Sequence, residues 1–100
     1  MSVRFESEAL SEYQEAAQYS EEHFGLGKTF VTAMEVALRT IAEHPERYQS
    51  LGDGIHVFRM KRFPFYLFYH FDISSEAITI YAVAHHNRRP NYWRKRLDDT

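Results

Sequence analysis

Two separated stretches gather the residue types that can do chemistry. The first is Arg59-Met60-Lys61-Arg62; the second is His85-His86-Asn87-Arg88-Arg89-Pro90-Asn91-Tyr92-Trp93. Cations mixed with histidine and aromatic rings suit a phosphate-bearing or acidic partner. Arg88 and Arg89 can clamp an anion with a planar fork of donors, or pair with acidic helices. An unperturbed histidine titrates near neutral pH, so His85 or His86 can serve as a general acid or base. As neighbours on or just past a strand, these two are expected to point to opposite sides and not to share a metal ion. With no HExxH spacing and no cysteine to supply a thiolate, neither a metal nor a cofactor is expected. The plainer reading of the same residues is a solvated basic rim, with Tyr92 and Trp93 as packing anchors for the C-terminal tail.

These two stretches need elements to bring them together. Val3–Phe5 fits a short opening strand. Ser7 is a candidate N-cap for a helix running to about Phe24, with Leu10, Tyr13, Ala17 and Phe24 at helical spacing and Ala9 and Ala16 beside them. Its other face, Glu8, Glu12, Glu15 and Glu22, reads as solvated surface. Gly25 fits a left-handed stop. A second helix, about Gly27 to Glu43, carries Phe30, Met34, Ala37, Leu38 and Ile41 on one face and ends at His44-Pro45. The short Gly25-Leu26-Gly27 link predicts an antiparallel hairpin.

Beyond Gly54 the pattern becomes β: Ile55–Lys61, Phe65–Phe71 and Ala77–Ala84, with turns at Pro64 and Asp72–Glu76. Short connections predict an antiparallel meander, in which the first and third strands run the same way. Both cationic stretches then fall at one end of the sheet. Within the first of these strands, Arg59 and Lys61 share a face opposite His56, Phe58 and Met60. The aromatic run Phe63–Tyr69 reads as a central strand buried on both sides, needing more cover than two helices and a short tail are expected to give, which a partner segment could supply. A short helical tail is expected over Asn91–Leu97. The fold class is α+β: an N-terminal strand and an antiparallel helical hairpin packed on an antiparallel β-meander, as one domain over 1–100.

Composition narrows the class further. The chain has 100 residues, 44% hydrophobic and 16% aromatic, enough for a core without staples, and its lack of cysteine excludes a disulfide framework. No apolar run approaches the roughly 20 residues of a membrane span, and the N-terminus lacks the basic start and apolar stretch of a signal peptide. A cytoplasmic location with no membrane partner is therefore expected. The formal net charge of −2 conceals a split. Residues 1–54 hold four Lys/Arg against ten Asp/Glu, net −6, and residues 55–100 hold eight against four, net +4.

The ordered set of residues resembles the RelE/ParE superfamily of toxins from type II toxin–antitoxin systems, and is ParE-like in detail. The resemblance covers almost the whole chain. It rests on Gly25-Leu26-Gly27 with Phe30, Ala37-Leu38 with Ile41, His44-Pro45 with Tyr48, and Arg59 with Arg62-Phe63-Pro64-Phe65 and Tyr69. It continues through Ala82-Val83-Ala84-His85, Arg88-Arg89-Pro90 and Tyr92-Trp93. It implies a bacterial protein of a plasmid-stabilisation or stress module, neutralised by a cognate antitoxin whose disordered segment wraps the toxin, with operator DNA bound only through that antitoxin. ParE-like members inhibit DNA gyrase and have no catalytic residues. RelE-like members are mRNA interferases, cleaving ribosome-bound mRNA without a metal. For cleavage this chain offers Lys61 or His85 as base, Arg59, Arg62 and Arg88 as clamps, and Tyr92 or a histidine as acid. For target contact it offers Arg59, Lys61, Arg62, His85, Arg88, Arg89 and Tyr92. The ParE-like detail and the net acidic total favour the gyrase-directed reading. The RelE-like nuclease and a degenerate, non-toxic binding member are the alternatives.

Overall fold

Two helices and two cores follow from where the apolar residues fall. The computed structural model describes residues 1–98. In chain order these form β1 (Ser2–Phe5), α1 (Ser7–Phe24), α2 (Gly27–Glu43), β2 (Gln49–Gly52), β3 (Ile55–Arg59), β4 (Phe65–Asp72), β5 (Ala77–His85) and a 3-10 turn at Arg94–Leu97. The expected single domain over 1–100 extends to Asp99 and Thr100, which lie outside the described residues.

The N-cap of α1 is Glu6, not Ser7. Glu6 keeps extended backbone, and its Oε1 accepts the N–H groups of Glu8 (2.8 Å) and Ala9 (3.0 Å). Its carboxylate satisfies donors that the first turn leaves orphaned and suits the positive end of the helix dipole. Gly25 ends α1 in the left-handed conformation, φ 67°, as its position suggested. Gly27 then opens α2 close to α1: a Cβ there would lie 2.9 Å from Glu21 Cβ.

The buried face of α2 is the expected one, with Phe30, Met34, Ala37 and Ile41 inside. The buried face of α1 is rotated from expectation. Ala9, Ala16 and Ser20 are buried, whereas Leu10 and Phe24 are 42% and 66% exposed. Helix α1 packs against both α2 and β5, and only small side chains fit at so close an approach.

The sheet has the order β1-β5-β4-β3-β2, with β1 parallel to β5 and every other pair antiparallel. The meander is as expected, but β2 is an added edge strand. Its four residues, Gln-Ser-Leu-Gly, have neither β-branched residues nor a clear alternation, so propensity does not mark it. The signal present is the Asp53-Gly54 turn, where both residues take positive φ (54° and 77°), the geometry of a tight hairpin.

The sheet buries both faces. Phe58, Leu67, Tyr69, Ile78, Ile80 and Val83 pack with the helices. On the far side Ile55, Phe68, Tyr81 and Ala82 pack with the tail residues Tyr92, Trp93 and Leu97. A bulge in β5 opposite Phe68/Tyr69 lets the consecutive residues Tyr81 and Ala82 join the same cluster. Trp93 is 1% exposed and stacks on Phe68 at 4.7 Å. The tail itself thus covers this face of β4, for which a partner segment was the expected source of cover. It is not the helix expected over Asn91–Leu97. Asn91 sits at φ 64° and only Arg94–Leu97 is helical, as a 3-10 turn. Asparagine tolerates that left-handed backbone, and its Oδ1 accepts from Arg94 Nε at 2.9 Å. Among the described residues no helix is long and apolar enough to cross a membrane.

Because Trp93 is the largest fully buried side chain of the second core, Trp93→Ala is expected to cost about 3–5 kcal/mol. Chemical denaturation monitored by far-UV circular dichroism checks this; a loss under about 1 kcal/mol would mean that the tail does not close this face.

Candidate functional site

Strand β1 stops pairing at Phe5, opposite Ile80, and the Glu6 N–H adds a last bond to the Ile80 carbonyl at 2.9 Å. Strand β5 continues to His85, so its outer edge is left with unpaired backbone groups. Side chains finish that edge. Glu12 Oε1 accepts the Val83 N–H at 3.0 Å, and Arg96 Nη1 donates to the Tyr81 carbonyl at 2.9 Å. The two side chains also pair with each other, Nη1–Oε1 at 2.8 Å and Nη2–Oε2 at 3.0 Å. Arg96 Nε lies 2.7 Å from Glu8 Oε2, a charge contact and not a well-directed hydrogen bond. The Tyr92 hydroxyl donates to Glu12 Oε2 at 2.6 Å.

Two of the four α1 carboxylates read from sequence as solvated surface are therefore engaged. Glu12 is half-buried and fully committed, while Glu8 stays exposed and pairs with Arg96. The arginine that meets α1 is Arg96, not Arg88 or Arg89. Sequence offered one partial signal: Glu8 and Glu12 lie one turn apart on a single face. Nothing in it chose Arg96 among the tail cations. Burial raises the Tyr92 phenol well above its ordinary range, and the hydrogen bond and charge of Glu12 raise it further, against smaller opposing effects of Arg88 and Arg96. Burial alone would lower Arg96, but the Glu12 hydrogen bond and charge outweigh it and hold the guanidinium more firmly protonated.

The cationic rim lies at the end of the sheet where β3 finishes, β4 begins and β5 finishes. Arg59 pairs in register with Tyr66, and Phe65 with His85. With β4 between them, the ends of β3 and β5 are about 10 Å apart, two strand spacings. Arg59 lies over the Tyr66 ring at 5.2 Å and donates to Gln49 Oε1 at 2.8 Å. Lys61 and Arg62 are exposed in the β3–β4 turn. Arg88 and Arg89 are exposed beyond β5, and the Arg88 guanidinium carbon sits 3.9 Å from the centre of the Tyr92 ring.

The two histidines do not diverge. Their rings stack at 4.6 Å. Strand β5 ends at His85, and the His86 N–H turns to the Pro64 carbonyl at 2.8 Å, so strand alternation no longer separates them. His85 Nδ1 accepts from the Asn87 N–H at 3.1 Å, and its ring meets Phe65 edge-on at 5.5 Å, on the helix side of the sheet. His86 Nδ1 lies 3.3 Å from the Pro64 carbonyl.

From this rim a groove of about 1000 Å³ runs between α2 and the β2–β3 edge. Its apolar lining includes Ala33, Val36, Ala37, Phe58, Met60 and Phe63, and Lys28, Arg47, Arg59, Lys61 and Arg62 also line it. Among the described residues no acidic side chain lines it. Met60 and Phe58 pack inward, as the alternation of β3 suggested.

A helical hairpin on one face of a small mixed sheet, a C-terminal tail on the other and a cationic rim beside an apolar groove define the α+β fold of this chain. The family model described as "ParE toxin of type II toxin-antitoxin system, parDE" matches residues 3–90, and the chain belongs to that family. A solved structure titled "Chromosomal ParDE TA system from P. aeruginosa" aligns with a TM-score of 0.61, covering 85% of this chain and 95% of that one, and at 13% identity it shows the shared fold. No curated protein matches the chain.

Tyr69 and Tyr92 both have phenols raised above the ordinary value of 10.0, Tyr69 by burial and then by Tyr48. A raised folded-state value means the stability each contributes is intact below about pH 10 and is lost as the pH climbs past the unfolded value. Denaturant midpoints measured from pH 8 to pH 11 are expected to fall steeply above about pH 10, and less steeply in Tyr92→Phe. An identical alkaline slope in Tyr92→Phe would show that this phenol is not held by Glu12.

Proposed function

We propose that this chain is a growth-inhibiting toxin that blocks DNA gyrase through its cationic rim and is silenced by a cognate antitoxin. The observation that carries the reading is how the rim's groups are used. The Tyr92 hydroxyl donates its hydrogen bond to Glu12, and His85 and His86 turn their Nδ1 atoms to backbone groups. Arg59, Lys61, Arg62, Arg88 and Arg89 remain exposed cations. Such a surface suits contact with an acidic patch on a protein target better than proton transfer to RNA. Membership of the ParE family supports the same choice. The proposed target is cytoplasmic.

The antitoxin would occupy the groove between α2 and β3. Apolar walls ringed by cations suit an amphipathic, acidic segment that orders as it binds. Charge complementarity of this kind speeds encounter and weakens as salt rises. Operator DNA would be met only through the antitoxin.

Purified chain is expected to stop gyrase supercoiling and to leave mRNA intact on translating ribosomes. Arg88→Ala and Lys61→Ala are each expected to raise the half-inhibitory concentration about tenfold, the loss of one charged contact, with unchanged circular dichroism. Cleaved mRNA with unaffected gyrase would instead assign the rim to a ribosome-dependent nuclease. Unhindered growth of cells expressing the chain without antitoxin would leave only a non-toxic binding role.

A further inference from the structure

The Glu12 carboxylate is saturated. Oε1 takes the Val83 N–H and Arg96 Nη1; Oε2 takes the Tyr92 hydroxyl and Arg96 Nη2. A carboxylate has about four acceptor positions, so none is left for another cation. This matters for Arg88, which lies against the same tyrosine. Were Glu12 free, it would be the natural partner for Arg88. Because Arg96 neutralises it, Arg88 stays on the ring face, and among the described residues its guanidinium has no hydrogen bond or ion pair.

The ring beneath Arg88 is fixed at both ends. Its backbone adjoins Trp93, which is 1% exposed, and its hydroxyl is held at 2.6 Å by Glu12. Burial and Glu12 keep the phenol protonated. The guanidinium, its carbon 3.9 Å from the ring centre, is attracted to the negative face, with its N–H groups unspent. Order of this kind lowers the entropy lost when a flexible side chain binds.

We propose that Glu12 is a positioning residue for target recognition: through the Tyr92 hydroxyl it fixes the ring as a platform that presents Arg88 to a carboxylate of the target protein. This rests on the reading that the rim contacts the target. Glu12 itself touches nothing outside the chain in this scheme; it acts through Tyr92.

Tyr92→Phe removes the link and leaves the ring and the Glu12–Arg96 pair in place. It is combined with Arg88→Ala in a double-mutant cycle, read as half-inhibition of gyrase supercoiling and as the inducer level that arrests growth. Tyr92→Phe alone is expected to weaken inhibition about threefold to tenfold, the range of an oriented cation–ring contact. In the Arg88→Ala background the same substitution is expected to have no effect. A loss from Tyr92→Phe that is equally large without Arg88 would overturn the proposal, because the hydroxyl would then act on stability or on another contact. Full activity of Tyr92→Phe beside a weakened Arg88→Ala would also overturn it, since Arg88 would work without the platform. Full activity of Arg88→Ala would refute rim contact at Arg88 and the relay together. Unaffected gyrase with the cycle intact in growth arrest would instead refute the gyrase reading alone.

Discussion

The fold depends on how one strand edge is closed. Strand β1 pairs with β5 only as far as Ile80, yet β5 runs on to His85 at the centre of both cores. The Tyr81 carbonyl and Val83 N–H beyond that point are met by Arg96 and Glu12, which also bind each other. An isolated ion pair of this kind is weak evidence for stability, because apolar replacement often serves as well. Here apolar replacement would orphan two backbone groups at a part-buried edge, and each orphan costs about 1–3 kcal/mol. The pair therefore acts as a side-chain continuation of β1. It also ties the tail to α1 and so covers the second face of the sheet.

That closure organises the electrostatics. The acidic residues concentrate on the helical hairpin and the basic ones on the end of the sheet and the tail, which is why a net charge of −2 says little about partners. One tail cation, Arg96, is turned inward to neutralise α1. Arg59 and Arg88, each lying over a tyrosine, and the exposed Lys61, Arg62 and Arg89 remain at the surface. The separation leaves one end of the molecule cationic and beside an apolar groove, the combination an acidic, partly apolar protein segment needs.

Much of this was legible in the chain. Helix ends are fixed by local chemistry, so Gly25 and His44-Pro45 marked them correctly. The α2 stripe and the aromatic β4 fixed which elements are buried. Family membership was legible too, because it rests on the order of many small signals. What escaped has a common cause: it is decided by contacts distant in sequence. Glu12 and Arg96 are 84 positions apart, and neither carries a mark of its role. The face of α1 turned because α2 and β5 crowd it, which favours Ala9, Ala16 and Ser20 over Leu10. Strand β2 forms because β3 offers an edge and Asp53-Gly54 returns the chain to it. The stacking of His85 on His86 reflects the turn after β5, where strand alternation stops.

The central claim is that side chains complete the β5 edge, and amide hydrogen exchange at Val83 tests it most directly. Its N–H has Glu12 as acceptor and no backbone partner on that side. Slow exchange in the native protein is predicted, with selective loss of that protection in Glu12→Ala while amides bonded between β4 and β5 stay protected. Rapid exchange at Val83 in the unmodified protein, as at any open strand edge, would contradict it.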